Sequence, residues 1–278
     1  MKRTLLCLTV IALVGACKKP DATTPPEGTD TSTKTGDTKP AGTPTVAQEP
    51  DPPAIAEGRG HFMLGHFDKA KELLTPLTED LKTRQQLRAS GLSAAWLALA
   101  VVDPVAEDAK APAEHAVAMG DQTGDKEVQV VAKLALGAYQ LGIDDDANAA
   151  ANFEAAYKLQ TDGPNAGLAL VLYGEAKVNM AFGGEEKEQL AHPEELTSAA
   201  STFDKAQRLA ASQPGSELVA ARALTGLASV ANYKKSFKEA CSKAMEAGKI
   251  YTAMKAGQPL MERVNAIIDA AKCPTPAA

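Results

Sequence analysis

Two stretches of the chain, fifty residues apart, repeat one arrangement of large and small apolar side chains. Ala149, Phe153, Ala156 and Leu159 recur as Ala199, Phe203, Ala206 and Leu209, with the same spacing of four, three and three. The segments Asn152–Leu159 and Thr202–Leu209 share the pattern F-[ED]-x-A-x-[KR]-L. Such spacing places all four side chains on one stripe of a helix. Alanine marks where a neighbouring helix comes close, and phenylalanine fills the gap. A unit of this size cannot bury its stripe alone, so the repeat demands neighbours of the same kind.

The segments before each stripe match as well. Leu134–Gly142 and Leu172–Met180 each carry a mid-helix glycine, Gly137 and Gly174. Glycine costs about 1 kcal/mol against alanine inside a helix, so close packing is the expected reason for it. Composition agrees with a helical core. Hydrophobic residues make up 45% of the chain and aromatics 4%, so alanine and leucine supply most of the buried surface. Small residues let helices approach closely, which favours all-α packing over a β-sandwich.

Helix, short turn and helix, recurring roughly every 40 residues, resembles the tetratricopeptide repeat. The likeness is strongest in the first unit, where Leu64-Gly65-His66-Phe67-Asp68-Lys69-Ala70 follows a G-x-[YF]-x-x-A pattern. Phe237-Lys-Glu-Ala240, with Ala244 and Ala247, repeats the second half of a unit. Val105–Met119 is a degenerate copy carrying Ala109, Ala113 and Ala116, interrupted by Pro112. Five hairpins are expected over about Ala54–Gly248, followed by a capping helix at Pro259–Lys272. The chain departs from the family pattern in three ways. Units two and five lack the first-helix glycine, unit four has a long connector (Gly183–His192), and no unit is a full consensus. The expected fold is therefore all-α, tandem helical hairpins forming a tetratricopeptide-like α-solenoid, with another helical repeat as the alternative.

The beginning of the chain is of a different kind. Lys2 and Arg3 precede an apolar run from Leu5 to Val14, too short to span a bilayer, and Val14-Gly15-Ala16-Cys17 follows. This resembles the lipobox of bacterial lipoproteins. The resemblance implies cleavage after residue 16 and lipid on Cys17, several acyl chains giving stable anchoring. An ordinary signal peptide cut after Ala16, or a buried N-terminal helix, is the plain alternative. Lys18 follows the cysteine where a retention aspartate would otherwise stand, which by the same resemblance points to the outer membrane.

Residues 17–53 then read as a lipidated cysteine and a linker. Lys18–Pro53 is rich in Thr, Pro, Gly and Asp, and Val46 is its only large aliphatic residue, so it cannot bury a core. A flexible chain of this length spans roughly 30–35 Å, and roughly 110 Å fully extended. A plain spacer is the simplest reading, O-glycosylation of its Thr/Pro run the alternative. The repeat domain occupies residues 54–272 and a short tail residues 273–278.

The formal charge is −6, and removing Lys2 and Arg3 with the signal leaves −8. An acidic balance without a basic patch argues against nucleic acid. It also argues against adhesion to anionic lipid, so the membrane is expected to be reached through the anchor only. Of four cysteines, Cys7 leaves with the signal and Cys17 carries lipid. Cys241, early in the last hairpin's second helix, and Cys273, ending the final helix, are expected to pair if those helices run antiparallel. Two unpaired thiols are the other possibility.

The search for chemistry yields little. His61 and His66 are five apart, about 140° around a helix, and are expected not to share a metal. Gly58-Arg-Gly60 lacks the preceding strand and third glycine of a dinucleotide fingerprint. Glu185, Glu186 and Glu188 cluster in the long connector, where a solvated turn is the ordinary explanation. No cofactor, metal or catalytic residue is expected.

In the resembled family the first helix of each hairpin lines a concave groove. That carries over to Arg59, Phe62 and Met63 in unit one, Ala138 and Leu141 in unit three, and Glu175, Val178 and Asn179 in unit four. Arg222, Ser229 and Asn232 belong to unit five. Asparagine amides offer both donor and acceptor to an extended peptide. The expected function is a lipid-anchored envelope adaptor binding a protein or peptide in this groove. A small-ligand-binding lipoprotein and an envelope hydrolase are the rival readings.

Overall fold

The computed structural model describes residues 50–183 and 189–274. The signal, Cys17, nearly all of the linker and Glu185, Glu186 and Glu188 lie outside the described residues. Within them the chain is all-helical. Five pairs of helices follow one another: α1 (Pro53–Met63) with α2 (Phe67–Thr83), α3 (Leu87–Val101) with α4 (Glu107–Thr123), and α5 (Lys126–Gly142) with α6 (Asp146–Leu159). The fourth pair is α7 (Gly163–Met180) with α8 (Pro193–Ala211), the fifth α9 (Glu217–Tyr233) with α10 (Phe237–Ala253), and α11 (Gln258–Ala270) comes last. Each helix packs on its successor. In addition, each odd-numbered helix packs on the next odd-numbered one, from α1 through to α11.

One turn geometry recurs along the chain. At the ends of α1, α2, α5, α9, α10 and α11 an amide reaches back five residues: His66 to His61, Gln86 to Leu81, Asp145 to Gln140, Ser236 to Ala231, Ala256 to Tyr251, Cys273 to Ile268. All six bonds measure 2.8–3.0 Å. The residue before each donor has positive φ: Gly65, Gln85, Asp144, Lys235, Lys255 and Lys272. This is the Schellman closure, which satisfies a carbonyl left over at the helix end. Only one of the six positions is glycine, although the left-handed region costs other residues roughly 1 kcal/mol.

The repeated stripe is the packing unit of the core. Phe153 and Phe203 are both fully buried, as are Ala149, Ala156, Ala199 and Ala206. The glycines explain how such rings fit. A Cβ on Gly137 would stand 2.7 Å from the Phe153 ring, and one on Gly174 would stand 2.6 Å from the Phe203 ring. Gly58 meets Leu74 in the same way at 2.5 Å. Gly58 and Gly137 each stand sixteen residues before their partners Leu74 and Phe153, and in the fifth pair Ala228 and Ala244, also sixteen apart, are both fully buried in one cluster. At the first two of these positions glycine therefore faces a large side chain.

Two sequence expectations change here. The first helices of pairs two and five do contain glycines, Gly91 and Gly226, at a register that the repeat pattern does not mark. A Cβ on Gly226 would stand 2.4 Å from the Phe203 ring of the preceding pair, and one on Gly91 would stand 2.8 Å from Met119 and Val128. Nor does Pro112 interrupt its segment: α4 runs through it, as α2 runs through Pro76. Near a helix start proline forfeits one backbone bond that packing on α3 and α5 offsets.

Phe182–Gly183 pairs antiparallel with Gln189–Leu190, and the Phe182 ring meets Tyr233 edge-on at 4.8 Å. At the far end Cys241 and Cys273 stand at disulfide distance, with S–S 2.04 Å and Cα–Cα 5.4 Å. No helix among the described residues is long and apolar enough to cross a membrane.

Candidate functional site

Arg222 is the only charged side chain in α9 after Glu217, set in an otherwise apolar and small-residue run. It is 8% exposed. Its Nη2 donates to the carbonyl oxygens of Phe62 at 3.2 Å and Met63 at 3.4 Å. These are the last carbonyls of α1, at the negative end of its dipole, and the Phe62 carbonyl also accepts from the Gly65 amide at 2.9 Å. The guanidinium also lies 5.1 Å from the centre of the Phe62 ring. Burial lowers the Arg222 pKa, opposed by Tyr251 and Glu175 and reinforced by Arg263. Its Nε is buried without a hydrogen-bond partner.

Around this contact the first and last helices meet. Gly257 donates its amide to the Leu64 carbonyl at 2.7 Å, and Leu260 covers Gly65 so closely that a Cβ there would stand 2.8 Å away. Arg263 Nη1 donates to Glu175 Oε1 at 3.1 Å, joining α11 to α7. The row of odd-numbered helices thus returns upon itself.

The residues expected to line a groove divide accordingly. Arg59, Phe62, Met63 and Arg222 are brought together. Phe62, 4% exposed, packs on Trp96 at 5.7 Å and Phe67 at 5.9 Å, and Arg59 lies 5.3 Å from the Trp96 ring centre. Burial lowers the Arg59 pKa against the pull of Glu127. Phe62 and Arg222 are spent on these internal contacts. Arg59, Met63, Leu141, Glu175, Val178, Asn179, Ser229 and Asn232 are half-buried, and Ala138 is buried. Asn179 donates to Asp146 Oδ1 at 3.3 Å, and Ser229 to the Thr225 carbonyl at 3.1 Å.

The histidines differ from expectation. His66 lies outside α1, in the closing turn, so the helical angle does not apply. Its ring centre stands 5.9 Å from that of His61. Among the described residues no group of three or more His, Cys, Asp or Glu is placed to hold a metal.

Trp96, Arg263 and the Leu64–Gly257 bond are parts of this centre that sequence reasoning did not reach. A lone arginine in an alanine-rich helix and the chain's single tryptophan were the signals available. No family model matches the chain, and no curated protein matches it.

Proposed function

We propose that the chain is a lipid-anchored scaffold of the bacterial envelope, built from tetratricopeptide-like hairpins, that binds a protein or peptide partner. The observation that carries this reading is the unbroken packing of the odd-numbered helices, which sets half-buried polar side chains on successive first helices. Arg59, Met63, Leu141, Glu175, Asn179 and Asn232 form the partner-facing set. Phe62 and Arg222 shape the surface from beneath. Spacing of sixteen residues between Gly58 and Leu74, Gly137 and Phe153, and Ala228 and Ala244 supports the repeat assignment. Support for the anchor comes from Val14-Gly15-Ala16-Cys17 alone, and support for an outer-membrane address from Lys18.

The test is crosslinking in living cells from photoreactive residues at 179 and 232. Capture of one envelope protein from both positions supports the reading. Absence of any captured protein, with a small metabolite raising the melting temperature, would replace it with ligand binding.

A further inference from the structure

The outer face of α10 carries two adjoining hollows of about 710 and 780 Å³. Phe237, Lys238, Ser242 and Glu246 border both. Lys249 and Lys272 extend the first, Lys235 and Lys243 the second. Lys243 is paired with Glu239 at 3.8 Å. Phe237, 46% exposed, stands at the centre of this lysine-rich surface.

This end of the chain differs in charge from the rest. Residues 233–278 hold eight basic and four acidic side chains, whereas residues 50–232 hold fifteen and twenty-six. The complementary surface is on the same molecule. The α3–α4 and α5–α6 turns touch, since a Cβ on Gly142 would stand 2.7 Å from the Ala106 Cβ. Beside that contact Val105 is 49% exposed and Ile143 40% exposed, among the exposed carboxylates of Asp103, Glu107, Asp108 and Asp144. One surface is apolar with a basic rim, the other apolar with an acidic rim. Opposed rims steer encounter and fix orientation, while the apolar centres supply burial.

We infer that a second copy of this chain docks its Val105–Ile143 edge on the Phe237 surface of the first. The two patches differ, so the contact is heterologous: each copy offers one of each kind. That asymmetry gives the test its form. In the Lys235→Glu/Lys238→Glu variant both patches are acidic, and in the Glu107→Lys/Asp108→Lys/Asp144→Lys variant both are basic. Sedimentation of the full chain in non-ionic detergent should show wild-type self-association that weakens about tenfold or more as salt screens the rims. Each variant alone should stay monomeric. Mixed together they should associate, because one contact is native and the other charge-reversed. Val105→Ser/Ile143→Ser gives a second route to the same loss if a charge variant fails to keep its helical spectrum. A wild-type chain that stays monomeric at every concentration overturns the inference, as does a mixture no tighter than its components. Capture of the monomeric wild type, but not the Lys235→Glu/Lys238→Glu variant, by phosphatidylglycerol vesicles would assign the patch to a lipid surface instead.

Discussion

Gly137→Ala should destabilise the wild-type protein and stabilise a Phe153→Ala variant. In the wild type the new Cβ stands 2.7, 2.9 and 3.0 Å from three atoms of the Phe153 ring. Carbon atoms settle at about 3.5–4.0 Å, so the ring has to move by most of an ångström. Phe153 is fully buried and has no open side to move into. Overpacking of this kind costs about 1–3 kcal/mol, against about 1 kcal/mol recovered from alanine's better helix propensity. The net expectation is a loss of up to about 2 kcal/mol.

Phe153→Ala alone should cost about 3–5 kcal/mol, the range for emptying a packed aromatic site. In that background the alanine at 137 meets a void. Its propensity gain is then unopposed and its methyl fills part of the cavity, so it should return about 1–1.5 kcal/mol. The two effects differ in sign, giving a coupling of about 1–3.5 kcal/mol in a double-mutant cycle. The fifth pair carries alanine at both positions of this spacing, Ala228 and Ala244, each fully buried in one cluster. Urea unfolding of the four proteins, followed by helical ellipticity, gives the cycle. A coupling below about 0.5 kcal/mol would show that the glycine does not exist to admit the ring.

Four further expectations follow from single features. Labelled palmitate should enter the wild-type protein in cells and not Cys17→Ala, and equal labelling of both would end the lipoprotein proposal. Gln85→Gly and Lys255→Gly, at left-handed helix ends with φ of 57° and 54°, should each raise stability by about 0.5–1 kcal/mol in the same urea assay. His115, whose Nε2 lies 2.9 Å from Ser90 Oγ, has its pKa lowered by burial and then by Lys82. The unfolded chain therefore binds more protons near pH 6, so stability should fall as pH drops below about 6.5, and His115→Gln should flatten that part of the curve. Protein purified without reductant should show no free thiol at Cys241 or Cys273 under denaturing conditions, and reducing that pair should cost about 3 kcal/mol on the chain-entropy model; two free thiols would mean α11 is held by packing alone.

The helices and their order were legible because each depends on neighbours in sequence. The stripe of Ala149, Phe153, Ala156 and Leu159 states its own period, and Gly137 twelve residues earlier states what it packs against. The six helix ends were less legible. Gln85, Lys235 and Lys255 take a conformation that glycine would advertise, and the closing bond belongs to the backbone, which leaves no mark in residue type. His66 was misplaced for the same reason, since its nearness to His61 follows from where α1 stops. Least legible was the closure. The Arg222 to Phe62 bond spans 160 residues, and nothing local to either residue names the other.

That closure changes what the first helices can present. A row of helices with free ends would leave Phe62 and Arg222 on its inner surface, where the repeat pattern places them. Here the carbonyls of Phe62 and Met63 accept from Arg222, and the Leu64 carbonyl accepts from Gly257. The Met63 and Leu64 carbonyls are orphan acceptors at the end of α1 that these contacts satisfy, while the Phe62 carbonyl also accepts from the Gly65 amide. A buried arginine is tolerable on these terms because it meets the carbonyl end of a helix and an aromatic face, with Glu175 contributing favourable charge. Each side depends on the other: Arg222→Leu leaves the Met63 carbonyl without its donor, and loss of α1 removes the carbonyls and aromatic face that the guanidinium meets. The terminal helices therefore hold each other, and the half-buried polar residues Asn179 and Asn232 belong to helices whose positions are fixed from both ends of the row.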